Sequence, residues 1–218
     1  MTFTTLFIDL DDTLYPPEKG VWDAIGEKIN EYMETRVGIA AEDVSTLRES
    51  LYRTYGTTLR GLMITRGIDP VDYLKFVHDI PLKKFLHPAP EIRQILLKYP
   101  LRKIILTNAD RNHALRVLKV LELDGVFEQI IDIMDMLPYC KPLPEAFKKA
   151  LEKAGSPQAT ECIYLDDNVS NLSAAKALGF YTIHVHPAII CTECHNHIPY
   201  LQHLPQVLDP LLSEDHRS

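Results

Sequence analysis

No apolar run in this chain approaches the roughly 18 residues that a membrane-spanning helix needs, so no membrane partner is expected. There is no excess of base either. The formal net charge of -7 argues against nucleic acid as a partner, while leaving room for a locally positive pocket around a small phosphate. The N-terminus runs directly into a strand-like pattern, with no basic segment, apolar signal core or cleavage site before it. A cytoplasmic location is therefore expected. Cysteine is scarce: Cys140, Cys162, Cys191 and Cys194 are too few and too unevenly placed for the disulfide framework of a secreted protein. Internal repeats and low-complexity segments are absent. What remains is 46% hydrophobic and 24% charged residues, enough for one large domain or for a core with a smaller insertion.

The most informative stretch is Leu6-Phe7-Ile8-Asp9-Leu10-Asp11-Asp12-Thr13. An apolar, β-branched and aromatic run ends in three acids within four positions, as a buried strand would when it delivers carboxylates to the rim of a sheet. Buried carboxylates need a cation or a hydrogen-bond network. Extended geometry places Asp9 and Asp11 on one side. Two hard oxygen ligands at this spacing suit Mg²⁺, which takes one or two carboxylates together with water and substrate phosphate. The alternative is a strand that ends in a polar turn, with Asp12 and Thr13 as turn or cap residues.

Beyond Tyr15-Pro16-Pro17 the pattern is helical from about Gly20 to Phe85. Val21, Ile25, Ile29 and Met33 form one core-facing stripe, followed by stripes through Val44-Leu47-Leu51, Leu59-Leu62-Met63 and Val71-Leu74. From Pro88 helices alternate with strands. Strands are expected at 103–106, 129–133, 162–165 and 181–185, and helices at 92–98, 113–121, 145–154 and 170–178, with a last helix near 204–212. Such alternation predicts an α/β fold with a mostly parallel, Rossmann-like sheet, which the first strand must join to be buried. The expected division is a core of residues 1–15 and 86–218 and an all-helical inserted cap of residues 16–85.

Ligands of such sheets sit at the carboxyl ends of the strands. There the sequence offers Asp9 and Asp11, then Thr107 and Asn108, then Lys141 in the loop after the third strand, then Asp166 and Asp167. A carboxylate can attack phosphorus, and a second can protonate the leaving alcohol and later activate water. Mg²⁺ between Asp9 and Asp166 would screen carboxylate from phosphate, while Lys141 and Thr107 would stabilise the equatorial oxygens. Singly, each residue has a plainer reading. Thr107-Asn108 could start a helix, Lys141 could be a surface lysine, and Asp167 with Asn168 could cap the next helix.

The ordered set Asp9-Leu10-Asp11-Asp12-Thr13, Leu106-Thr107-Asn108, Lys141-Pro142 and Asp166-Asp167 resembles the haloacid dehalogenase superfamily up to about Val185. The resemblance implies Asp9 as nucleophile, Asp11 as general acid/base and Thr107 as the phosphate-binding hydroxyl. It implies that Lys141 bridges nucleophile and phosphate, and that Asp166 and Asp167 are acids on the metal side. Dehalogenase members lack the second acid of the first motif, so Asp11 favours phosphoryl transfer. The helical block is similar to the family's small C1-type cap, expected to cover the site and exclude water.

A narrower resemblance, to the pyrimidine 5′-nucleotidase branch, rests on Asp9 to Pro16, on Tyr55-Gly56-Thr57-Thr58-Leu59-Arg60-Gly61-Leu62 and on Leu106 to Asp110 with His113-Ala114. It implies a Mg²⁺-dependent phosphatase for a pyrimidine nucleoside 5′-monophosphate, UMP or CMP. Sugar phosphates, FMN and pyridoxal phosphate are alternative substrates, and a non-catalytic phosphate-binding module is the alternative outside enzymes. Asn108 and Asp110 would shape the phosphate loop. Arg60, Tyr55 and Thr57 would meet base or ribose, or else serve structure. Trp22 is expected in the cap core. The partner is a small phosphomonoester, and the chain a monomer or homodimer. The tail crowds His184, His186, Cys191, Cys194, His195 and His197 together, which is read as a surface loop or as a zinc site.

Overall fold

The structure, a computed structural model, describes residues 2–214. Six strands form one sheet: β1 (Thr5–Ile8), β2 (Arg102–Leu106), β3 (Gln129–Ile131), β4 (Cys162–Asp166), β5 (Tyr181–Val185) and β6 (Asn196–Ile198). Their order is β3-β2-β1-β4-β5-β6, and every neighbouring pair is parallel. The chain runs outward from β1 to β3, then returns to the other side of β1 to lay down β4. The sheet therefore reverses direction between β1 and β4, the place where doubly wound folds open a crevice for ligands.

Helices cover both faces because the strands are apolar on both. In β1 and β2, Leu6, Ile8 and Ile105 belong to one buried cluster, and Phe7, Ile104 and Leu106 to the other. This is the two-residue alternation of extended chain. The second cluster is completed by Ala146, Phe147 and Ala150 of α8 (Pro144–Lys153) and by Leu172 and Ala175 of α9 (Val169–Ala177). Phe7 is fully buried there, edge-on to Phe180 at 5.8 Å between ring centres. Truncating such a ring to Ala costs about 3–5 kcal/mol. The first cluster takes in α5 (Pro90–Lys98), α6 (Arg111–Val120), α10 (Pro205–Glu214) and the helical block.

That block lies between β1 and β2 and contains α1 (Val21–Thr35), α2 (Ala41–Tyr55), α3 (Thr58–Arg66) and α4 (Pro70–Val77). Its boundaries follow from capping. The Thr57 side chain accepts from the Arg60 amide to start α3, and Asp69 accepts from the Val71 amide to start α4, with Pro70 in the first turn. The stripe Val21, Ile25, Ile29 and Met33 is buried, as its spacing predicts.

Three expectations need correction. The third strand stops at Ile131, because the Asp132 side chain caps a short helix, α7 (Ile133–Met136). The tail is not a plain loop: Asn196–Ile198 adds β6 to the sheet edge. Nor does the Cys-x-x-Cys present thiols to zinc, since Cys191 and Cys194 are joined in a disulfide.

Candidate active site

β1 and β4 deliver the acids to one crevice. The Asp9 amide still donates to the Leu165 carbonyl, so sheet pairing fixes the start of the loop. One carboxylate oxygen from each of Asp9, Asp166 and Asp167 can be chosen so that all lie within 4.8 Å of one another. Lys141 reaches in between β2 and β4, almost wholly buried. Its Nζ lies 2.7 Å from Asp9 Oδ1, 2.9 Å from Asp166 Oδ2, 2.8 Å from the Leu106 carbonyl and 3.0 Å from the Tyr164 hydroxyl.

Electrostatics here follow from crowding. Burial, assisted by the charges of Asp166 and Asp167, pushes Asp9 well above the usual carboxylate value even against Lys141. Burial with the charges of Asp166 and Asp12 raises Asp167 to about 7. Burial alone would lower Lys141, but Asp166 and Asp9 outweigh it and hold the ammonium charged. Three carboxyl groups crowd around one ammonium in a buried site, and a divalent cation among their hard oxygens would hold them ionised. That set fits a divalent cation of the Mg²⁺ type.

Surrounding residues lock these groups. Asp166 accepts from the Asn168 backbone amide, through both of its oxygens from Asn171 Nδ2, and from the Tyr164 hydroxyl. Thr13 Oγ accepts from the Asp167 amide at 3.0 Å and joins the β1 loop to the β4 loop. Asn108 makes a reciprocal pair with the Lys141 backbone, donating to its carbonyl and accepting from its amide, each at 3.0 Å. Thr107 is buried at the end of β2, where its hydroxyl accepts from the Ala109 amide at 2.9 Å. Asp11 points its Oδ1 at the Tyr15 hydroxyl and at His113 Nε2. Burial would raise Asp11, but His113 and the Tyr15 hydroxyl outweigh it and bring it below the ordinary value.

A cavity of about 520 Å³ opens over this rim, lined by Asp9, Asp11, Thr107 and Lys141 below and by residues of α1 and α2 above. Trp22 is 47% exposed and Tyr52 46% exposed on its upper wall. Trp22 is therefore not a core residue; it sits one position off the buried stripe of α1. Arg60 does not line the cavity. Its Nε donates to the Pro138 carbonyl at 3.0 Å and its Nη1 to the Tyr55 carbonyl at 3.1 Å, tying the turn before α3 to the loop that carries Lys141. Gly56 makes that approach possible. It has φ +88°, and a Cβ there would meet Cys140 Sγ at 3.1 Å and the Lys141 carbonyl at 3.5 Å. Thr57 caps α3 and also lines the cavity.

Sequence reasoning missed Tyr164, Asn171 and His78. Tyr164 stands two residues before Asp166 on the same strand, so alternation alone places both on one side. Asn171 sits in the first helical turn after Asp166. No local pattern announces His78.

A family model described as haloacid dehalogenase-like hydrolase matches residues 3–179. The chain is 29% identical over 194 residues to Phosphate metabolism protein 8 of Saccharomyces cerevisiae, with 82% of this chain covered; it spans 60% of that relative's length. Its fold is similar to that of the HAD-hydrolase YfnB of Bacillus subtilis, solved bound to magnesium, with TM-score 0.66, 18% identity and coverage of 96% of this chain and 100% of that one. It is also similar to L-2-haloacid dehalogenase of Xanthobacter autotrophicus, with TM-score 0.61, 17% identity and coverage of 95% and 99%.

Proposed function

The chain belongs to the haloacid dehalogenase-like hydrolase family, and from this premise we infer that it is a Mg²⁺-dependent phosphomonoesterase working through an aspartyl-phosphate on Asp9. A pyrimidine nucleoside 5′-monophosphate, UMP or CMP, is its preferred substrate. The observation that carries the reading is the pairing of two differently held carboxylates. Asp9 lies against Lys141 at 2.7 Å, while Asp11 is held on a separate network at the wall of the same cavity. Environments that push two acids apart assign them different roles.

In the first half-reaction an Asp9 oxygen forms a bond to phosphorus as the bond to the leaving oxygen breaks. Lys141 and Thr107 face the oxygens of the transferring group. Asp11 gives a proton to the leaving alcohol. The proton that Asp11 gives up is replaced in the second half-reaction, so the cycle returns it to its starting state. In the second half-reaction Asp11 takes a proton from water, the water oxygen bonds to phosphorus, and Asp9 is released. Asp9, Asp166 and Asp167, with the Asp11 carbonyl, would hold Mg²⁺, whose charge would offset the repulsion between carboxylate and phosphate.

The helical segment 16–85 is the cap over this chemistry, and residues 2–15 and 86–214 are the core; residues 1 and 215–218 lie outside the described residues. A nucleoside suits a cavity of about 520 Å³, within the usual range of about 300–1,000 Å³ for small-molecule sites. Trp22 and Tyr52 offer aromatic faces to a base. Phosphate release should be measured on UMP, CMP, AMP, GMP, FMN, pyridoxal phosphate and sugar phosphates, with Mg²⁺ and with EDTA. Preference for UMP and CMP that EDTA abolishes is expected. Sugar-phosphate preference would discard the nucleotide assignment, and binding without release would discard the enzyme.

A further inference from the structure

The carboxylate of Asp11 is gripped by one oxygen. Oδ1 accepts from the Tyr15 hydroxyl and lies 2.8 Å from His113 Nε2. Among the described residues no hydrogen bond reaches Oδ2, and Asp11 lines the cavity that contains Asp9. A carboxyl with two donors on one oxygen has its other oxygen free for proton exchange, and that oxygen is the one left to substrate.

His113 is itself immobilised. Its side chain has no exposed surface. Its backbone amide is capped by Asp110 Oδ1 at 3.0 Å in the first turn of α6. The His78 ring stacks on it, with centres 4.3 Å apart and planes 21° from parallel. His78 Nδ1 donates in turn to Asp110 Oδ2 at 2.6 Å. One aspartate thus fixes both the helix that carries His113 and the ring stacked on it. The other ring nitrogen, His113 Nδ1, is buried with no partner. An apolar ring would fill the space without leaving a buried polar atom unpaired. The bond to Asp11 is the only polar contact that the imidazole makes among the described residues, and it accounts for a histidine being there.

Resting on the phosphatase reading above, we propose that His113 is a positioning residue for the reaction. Held by the His78–Asp110 pair and helped by Tyr15, it fixes Asp11 with Oδ2 presented to the leaving oxygen. The residues that do this flank both crossings of the helical segment: Tyr15 on the outgoing strand of chain and His78 just after α4.

The test compares two esters. p-Nitrophenyl phosphate releases a stable phenolate and needs little help from an acid. UMP, or the best alkyl monoester if UMP is not turned over, releases an alkoxide and needs the proton. The ratio kcat/KM reports steps up to loss of the alcohol, so the later water step does not enter it. A positioned general acid contributes about 10²–10⁴-fold. His113→Ala should therefore lower kcat/KM on the alkyl ester by about 10²-fold or more and on p-nitrophenyl phosphate by less than about 10-fold. His113→Gln, whose amide donor sits where Nε2 does, should recover most of the loss. Tyr15→Phe, which removes one hydroxyl, should show the same split at about 10-fold on the alkyl ester. Equal losses on both esters, or no rescue by Gln together with no split in Tyr15→Phe, would overturn the positioning role and leave the phosphatase standing. Wild-type protein releasing phosphate from neither ester would overturn the phosphatase reading instead, and this role with it.

Discussion

The rim of the sheet and the roof of the cavity are built to different standards. At the rim the central side chains are held from several directions: Lys141 faces four oxygens, and Asp166 accepts from Asn168, Asn171, Tyr164 and Lys141. On the roof Trp22 is half exposed, and Tyr52 is tied to the core by one bond, accepted from Asn168 Nδ2 at 2.9 Å. Rigid placement is what charge stabilisation requires, because donors that need not reorganise act at full strength. Surfaces that choose among substrates carry no such demand. The contrast shows where the fold has fixed its chemistry and where it leaves room for change.

The largest effect should come from the rim's centre. Asp9→Asn should bring phosphate release to background, a loss of at least about 10⁴-fold, with melting within a few degrees of wild type; turnover near wild type would remove the nucleophile assignment. Lys141→Met should cost stability as well, about 3–5 kcal/mol in urea unfolding, because it leaves Asp9 and Asp166 buried without their cation. A cost under about 1 kcal/mol would show that the rim is less tightly coupled than its geometry implies. Mg²⁺ at about a hundred times its Kd should stabilise the protein by about 2.7 kcal/mol, several degrees in melting temperature. The same addition should leave Asp166→Asn unmoved, and an equal shift in that variant would place the ion elsewhere. On the roof, Trp22→Ala should lower kcat/KM for UMP by about 10-fold, the worth of a stacked base, and leave p-nitrophenyl phosphate and stability nearly unchanged. A fall on both esters would make Trp22 a structural residue after all.

The rim was legible because a buried strand ending in acids is chemically conspicuous. Asp9, Thr107 and Asp166 each end or follow an apolar strand, and the parallel order then brings them together with Asp11 and Lys141 from the loops beyond. The roof was less legible because its decisive facts are directions rather than residue types. Trp22 neighbours Val21 in sequence, yet one step along a helix turns a side chain by about 100°, from buried stripe to cavity wall. Arg60 carried the right charge for phosphate, but its partners are two carbonyls, that of Tyr55 nearby and that of Pro138, 78 positions away. β6 escaped because three residues, only Ile198 of them buried, are too short for an alternating pattern. His78 and His113 meet only in three dimensions.

The position of β1 at the middle of the sheet has a kinetic consequence. It precedes the other strands in the chain, yet Thr13 in the loop behind it must find the Asp167 amide 154 positions later. Contacts so distant in sequence close slowly, since the loop entropy is lost before the contacts form. An apolar strand tipped with acids therefore waits, unpaired on one side, until β4 docks. Refolding followed by amide protection should show β1 and β4 becoming protected together. Recovery of activity should track that step rather than the earlier gain of helix.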